Sequence, residues 1–189
     1  RIQWDTKATV DKLLDEYYGA FGVFAPVVKE YFDYWESFVA REYTKPETRE
    51  IYRQHRSRAM YYSAQQLYTP EVLDEAQRIL AKAEPLKAGA TPEEAERFRN
   101  IELGLAHTRL NLGAIVPPET PKPGTDEHAR LLAAVKELMD FRCKIAPRNV
   151  LNVYTATHME RAWKRTLVDL LAAPVPDAPK IDPMIDPPR

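Results

Sequence analysis

Residues 13–38, LLDEYYGAFGVFAPVVKEYFDYWESF, decide the fold. Val10, Leu13, Leu14, Tyr17 and Tyr18 recur at i, i+3, i+4, i+7 and i+8, which is one apolar face of a 3.6-period helix. Gly19 follows where a left-handed C-cap is wanted, and Pro26 stands where the first turn of a new helix begins. The second helix repeats the pattern, with Val28, Tyr31, Phe32, Trp35, Phe38 and Val39 on its inward face. The stretch therefore reads as two amphipathic helices joined by a Gly- and Pro-marked corner, with both aromatic faces expected in the core.

The same punctuation divides the rest of the chain. Residues 1–5 are a short lead-in that sets Trp4 against the first helix, which Asp5 or Thr6 can cap and which runs to about Tyr18. The second helix covers about 25–41. Lys45-Pro46 interrupts, and 47–66 forms a third helix with the least regular apolar pattern of the set. Thr69-Pro70-Glu71 places a cap hydroxyl, a proline at the first helical position and an acid in the positive first turn. Val72, Leu73, Ala76, Ile79, Leu80 and Ala83 then follow at helical spacing until Pro85. Thr91 with Glu94 forms a capping box, and Phe98, Ile101, Leu105, Thr108 and Leu112 make the stripe of a fifth helix. Pro117-Pro118 and Pro121-Lys-Pro-Gly124 form a stiff loop. A sixth helix starts at Thr125-Asp126-Glu127, with Leu131, Leu132, Val135, Leu138 and Met139 inside, and Pro147 ends it. A last helix over about 149–172 carries Met159, Trp163, Leu167 and Leu170.

No run of residues alternates well enough to be a strand. The predicted architecture is all-α, an irregular bundle of about six or seven helices over 1–173. Residues 174–189 are a proline-rich extended tail or linker, since they hold six of the 16 prolines and cannot be helical. The chain opens on Arg1 without a charged-then-apolar leader, and both ends read as cuts through a longer polypeptide.

Composition narrows the function classes. With 27 basic and 28 acidic side chains the net charge is −1, which argues against a general attraction to nucleic acid or to an anionic membrane. No apolar run approaches the roughly 20 residues needed for a membrane span. The sole cysteine, Cys143, has no partner for an internal disulfide, and its neighbours Phe141 and Ile145 favour a small buried residue.

The W-D near the start, the helix ending in E-Y-Y-G, the apolar-Ala-Pro turn and V-K-E-Y-F-D-Y-W-E together resemble one particular segment. It follows the barrel domain in a group of bacterial glycosidase-like proteins related to α-glucuronidases and hexosaminidases. The later Y-T-P-E-V-L run extends the likeness, which covers Trp4–Glu36 well and Leu67–Leu112 moderately. The corner departs from that family's G-x-A-A-P turn, because Gly19-Ala-Phe-Gly-Val-Phe-Ala-Pro26 is longer. The resemblance implies a helical accessory domain in an exported (periplasmic or extracellular) carbohydrate-active protein, with the barrel of the same polypeptide as partner. The family's catalytic carboxylates lie on the barrel, so none is carried over.

Chemistry within the chain is sparse. Di-iron bundles need Glu-x-x-His pairs, but Tyr52, Gly104, Thr125 and Thr155 precede the four histidines at that spacing. His158-x-Glu160 lacks the Pro-Cys-x-x-Cys that would complete a zinc-deaminase motif. No metal or cofactor is therefore expected. Ser37, Ser57 and Ser63 all fall in helical stretches, and no nucleophile elbow or phosphate loop occurs. Asp11 with Asp15, and Glu30 with Asp33, are spaced for one helix face, but they are expected to flank no cleft of the kind glycosidases use. Arg49, Arg53 and Arg56 share a face at i, i+4 and i+7. They suit an anionic sugar or a nucleic-acid strand, or else a charged outer face with Glu47 and Glu50 as partners. Tyr18, Tyr34 and Trp4 lie off the main stripes and are the rings left for sugar stacking. Candidate sugar or partner contacts are thus Trp4, Tyr18, Tyr34, Arg49, Arg53 and Arg56. The alternatives to an accessory domain are a carbohydrate-binding module using exposed aromatics and a free-standing protein-interaction domain.

Overall fold

The computed structural model describes residues 8–55, 64–117, 119, 121–148, 150–152 and 156. These residues are all-α, without a strand among them. Six α-helices run in order: α1 (Val10–Gly19), α2 (Ala25–Thr44), α3 (Pro46–His55), α4 (Pro70–Ala81), α5 (Pro92–Gly113) and α6 (Asp126–Ile145). A further helical turn covers 64–67, and short 3-10 segments stand at Gly22–Phe24, Glu84–Gly89 and Ala146–Arg148. The rest of the predicted third helix (56–63), most of the predicted last helix and the tail at 174–189 lie outside the described residues.

Several helix starts are capped as the sequence predicts. Thr91 Oγ1 accepts the Glu94 backbone N–H at 3.2 Å while Glu94 accepts the Thr91 N–H at 3.1 Å, a reciprocal box. Thr125 Oγ1 likewise accepts from the His128 N–H at 3.2 Å. Two caps differ from expectation. α1 begins at Thr9 rather than at Asp5 or Thr6, with Thr9 Oγ1 accepting the Lys12 N–H at 3.3 Å. Thr69 has the extended backbone of an N-cap, but its hydroxyl caps no backbone N–H.

The corner also turns differently. Gly19 stays helical, and the left-handed residue is Gly22, at φ +53°. The longer corner moves the reversal three residues on, where the positive φ favours glycine and an added Cβ would have to displace the Glu94 carboxylate. The 3-10 turn then drives Phe24 inward.

The chain divides into two compact units, 1–105 and 106–189, with α5 contributing to both. In the first, α2 packs along α4 and also touches α1 and α3. Its core is built from Phe24, Val28 and Phe38 with Leu73, Ala76 and Leu80, and Phe98 closes it from α5. Phe24 and Phe98 stack with centroids 4.6 Å apart at 22°. Arg97 donates to the Ala20 carbonyl at 2.7 Å and ties the corner to α5, and Lys82 pairs with Glu30 between α4 and α2. The α5 stripe is shifted from expectation, since Leu103 is buried while Ile101, Thr108 and Leu112 are only half-buried.

The second unit collects Ala114, Val116, Leu131, Val135 and Leu138, flanked by Leu110 and Ala134. α6 also buries Arg142 completely, and its Nε donates to His107 Nε2 at 3.1 Å. Cys143 is exposed, not buried as its apolar neighbours led one to expect. The buried positions Leu138, Arg142 and Ile145 define the inward face of α6, and residue 143 is rotated about 100° from 142, toward solvent.

Candidate functional site

The surface that stands out is the outer side of the α1–α2 hairpin. α1 is amphipathic, but none of its residues is buried. Val10 is 63% exposed, Leu14 43% and Tyr17 45%, while Leu13 and Tyr18 are half-buried. This corrects the expectation that the α1 stripe lies in the core. Helical period shows that a face is apolar, but it does not show that anything covers it. α2 is split in the same way. Val27, Val28, Tyr31 and Phe38 are buried against α4 and the core, Phe32 and Trp35 are half-buried, and Val39 is 41% exposed. The predicted inward face of α2 was therefore about one residue too wide on the α1 side.

Between the two helices lies an open groove of about 650 Å³. Its floor is apolar, made by Leu14 and Tyr18 of α1 with Phe32, Trp35 and Val39 of α2. Rings pack edge to face along this floor. Tyr17 sits edge-on to Phe32 at 5.9 Å and to Phe21 at 5.4 Å, and Tyr18 leans on Phe32 at 6.3 Å, closing the hairpin near its corner. Trp35 is set edge-on among Tyr31, Tyr34 and Phe38, with Tyr68 behind it at 5.8 Å. Edge-to-face geometry of this kind favours fixed orientations over free rotation.

The rim is acidic. Asp11 and Asp15 stand one turn apart on α1, and Asp33 and Glu36 occupy the facing helix. Among the described residues the one cation lining the groove, Lys29, puts its Nζ 2.6 Å from Asp33 Oδ2. Its hydrogen bond to Asp33 raises the Lys29 ammonium pKa above the ordinary 10.5, helped by the charges of Asp33 and Glu36 and opposed by desolvation. Asp11, Asp15 and Asp33 thus border an open groove, whereas sequence spacing had left them flanking no cleft. The hairpin geometry is what brings the α1 pair opposite Asp33. Glu30 is turned away, toward Lys82 of α4.

The other described residues selected from the sequence do not line this groove. Tyr34 is half-buried and donates its hydroxyl hydrogen to the Val72 carbonyl at 2.8 Å, so it is a tie between α2 and α4 rather than a stacking ring. Burial raises its phenol pKa, with the Glu75 charge adding to the effect. Arg53 forms a bidentate pair with Glu50, both N–H···O distances being 2.8 Å, and Arg49 Nε donates to the Tyr43 carbonyl at 2.7 Å. Among its described residues α3 thus presents a charged outer face, with Arg53 paired to Glu50. Trp4 and Arg56 lie outside the described residues. Of the four described candidates Tyr18 alone lines the groove, and spacing missed Leu14, Phe32, Trp35 and Val39 because it placed them inside. The signal that could have found them is charge, since Asp11, Asp15, Asp33 and Glu36 flank those apolar positions at helical spacing.

Among the described residues no three His, Cys, Asp or Glu side chains gather as a metal site, and no helix is long and apolar enough to cross a membrane. No protein-family model, curated protein or solved structure matches the chain.

Proposed function

We propose that this chain is a non-catalytic helical accessory domain that works by contact, with the α1–α2 face as its working surface. The observation that carries the proposal is α1 itself, an amphipathic helix whose apolar side chains Val10, Leu14 and Tyr17 are left in solvent. Apolar side chains gathered on one face and rimmed by charge are the common mark of an interaction site. Among the described residues the groove lining holds no serine, cysteine or histidine, and its carboxylates stand on an open, solvated rim, which favours binding over reaction. The setting beside a glycosidase-like barrel, in an exported carbohydrate-active protein, is supported by the resemblance over Trp4–Glu36 and Leu67–Leu112. In that setting the barrel of the same polypeptide is one partner, and the α1–α2 face is left to a second.

Two experiments test this reading. Incubating the purified chain with a panel of aryl glycosides is expected to give no turnover. Release of the aryl group that disappears in Asp33→Asn would make the chain an enzyme and end the proposal. Sequencing the reading frame upstream of residue 1 tests the setting, since a frame that encodes no barrel there would remove it. One observation favours a second reading as a carbohydrate-binding module, namely that Tyr18, Phe32 and Trp35 share a groove with hydrogen-bonding carboxylates. Calorimetric titration with plant and bacterial polysaccharides decides between the two readings.

A further inference from the structure

We infer that the α1–α2 groove receives a basic amphipathic helix from a partner protein. The inference deepens the proposal of a contact surface and rests on it. Three features of the groove select this occupant over others.

The first is charge. Among the described residues four carboxylates line the groove against one ammonium, a local excess of three negative charges in a chain whose net charge is only −1. Among the described residues Asp11, Asp15 and Glu36 make no ion pair with the protein's own cations, so their charge is left for an incoming group. The second is spacing. Asp11 and Asp15 are separated by four residues on one wall, and Asp33 and Glu36 by three on the other. These are the intervals at which a helix repeats its own Lys and Arg side chains along one flank. The third is the floor. Leu14 and Val39 are aliphatic and flank the aromatic Phe32 and Trp35, a mixture suited to Leu, Ile or Met anchors at i, i+3 or i+4, and i+7. From Lys29 to Val39 the wall is about 15 Å long, which matches about three turns of a docked helix.

The same features disfavour the alternatives. An anionic lipid surface meets acidic rails of its own sign. A second copy presenting α1 sets Asp11 and Asp15 against carboxylates, again like against like. A neutral glycan uses the rings and carboxylates but gains little from Leu14 and Val39.

The test is fluorescence anisotropy of the full chain with a labelled leucine–lysine amphipathic helix of about four turns, long enough to fill the groove. The controls are the same peptide with Glu replacing Lys, and a scrambled peptide of equal charge without an apolar face. Saturable binding of the amphipathic basic peptide alone is expected. Leu14→Asp and, separately, Asp11→Lys with Asp15→Lys should each weaken it by about tenfold or more, as when a central anchor or a charged rail is reversed. All of these positions are exposed, and an unchanged circular dichroism melt confirms that each variant folds. Equal binding of the scrambled peptide, binding untouched by these variants, or no binding at all would overturn the inference. So would a chain that self-associates through the groove, or a polysaccharide that competes the peptide away. Loss of peptide binding with α1 still required for another partner would defeat this inference alone, whereas glycoside turnover would defeat the contact reading beneath it.

Discussion

The stacked pair Phe24–Phe98 gives the sharpest test of how the hairpin is anchored. Phe24 is fully buried at 0% exposure and Phe98 is 2% exposed, and they come from segments 74 residues apart in sequence. Truncating either ring to alanine is expected to cost about 3–5 kcal/mol, the range for deleting a large aromatic from a closed core. A domain of this size has a total stability of about 5–15 kcal/mol, so a double alanine variant risks unfolding altogether. Leucine is the better probe. Phe24→Leu and Phe98→Leu are each expected to cost about 1–2 kcal/mol, because much of the volume is kept and only shape and ring contact are lost. The double variant should then cost less than the sum by about 0.5–1.5 kcal/mol, the coupling carried by a ring pair beyond its buried area. Urea denaturation of the four proteins at constant slope measures all three quantities. Additive losses within about 0.3 kcal/mol would mean that the rings do not touch, and the placement of the corner on α5 would then be wrong.

Other consequences concern single residues. Gly22→Ala should destabilise by about 1–2 kcal/mol, from the positive φ and the displacement of Glu94 from its cap, whereas Gly19→Ala should be neutral or stabilising in a thermal melt. Glu42 accepts from Lys45 and, less closely, from Arg41, and the Lys45 hydrogen bond is the largest cause holding its pKa below 4.5. Its stabilising contribution is therefore complete above pH 4.5 and is lost as the pH falls through the lower folded value. Wild type should lose melting temperature faster than Glu42→Gln across that window, and parallel acid profiles would refute the pairing. Arg142→Ala leaves a cavity and removes one hydrogen-bond donor from His107, so a loss of about 2–4 kcal/mol is expected by chemical denaturation.

Much of this fold was legible in residue pattern alone. Pro70, the Thr91–Glu94 box and Thr125 mark helix starts because caps act through backbone groups within one turn, and local chemistry is written locally. The buried stripes of α4 and α6 follow for a similar reason, since Leu73, Ala76 and Leu80, or Leu131, Val135 and Leu138, repeat with helical period. What was not legible depends on neighbours distant in sequence. Gly19 and Gly22 look equally able to turn left-handed, and the choice falls on Gly22 where the Glu94 side chain crowds the backbone. Tyr17 and Tyr18 look alike, yet Tyr17 is exposed and Tyr18 lines the groove, because which flank of α1 meets Phe32 is set by the corner. The candidate site was missed for the same reason. Trp35 has core spacing, but its α1-side flank borders a groove that only the angle of the hairpin opens. Trp35→Ala should accordingly cost less than the range for a fully enclosed ring.

The most direct measurement of the central claim is thiol labelling of Leu14→Cys in a Cys143→Ser background, with and without the leucine–lysine helix. An uncovered α1 face predicts labelling of Cys at position 14 at the rate of a free thiol, slowed in proportion to peptide occupancy. A thiol already protected in the absence of peptide, or one whose rate the peptide leaves unchanged, would contradict the account.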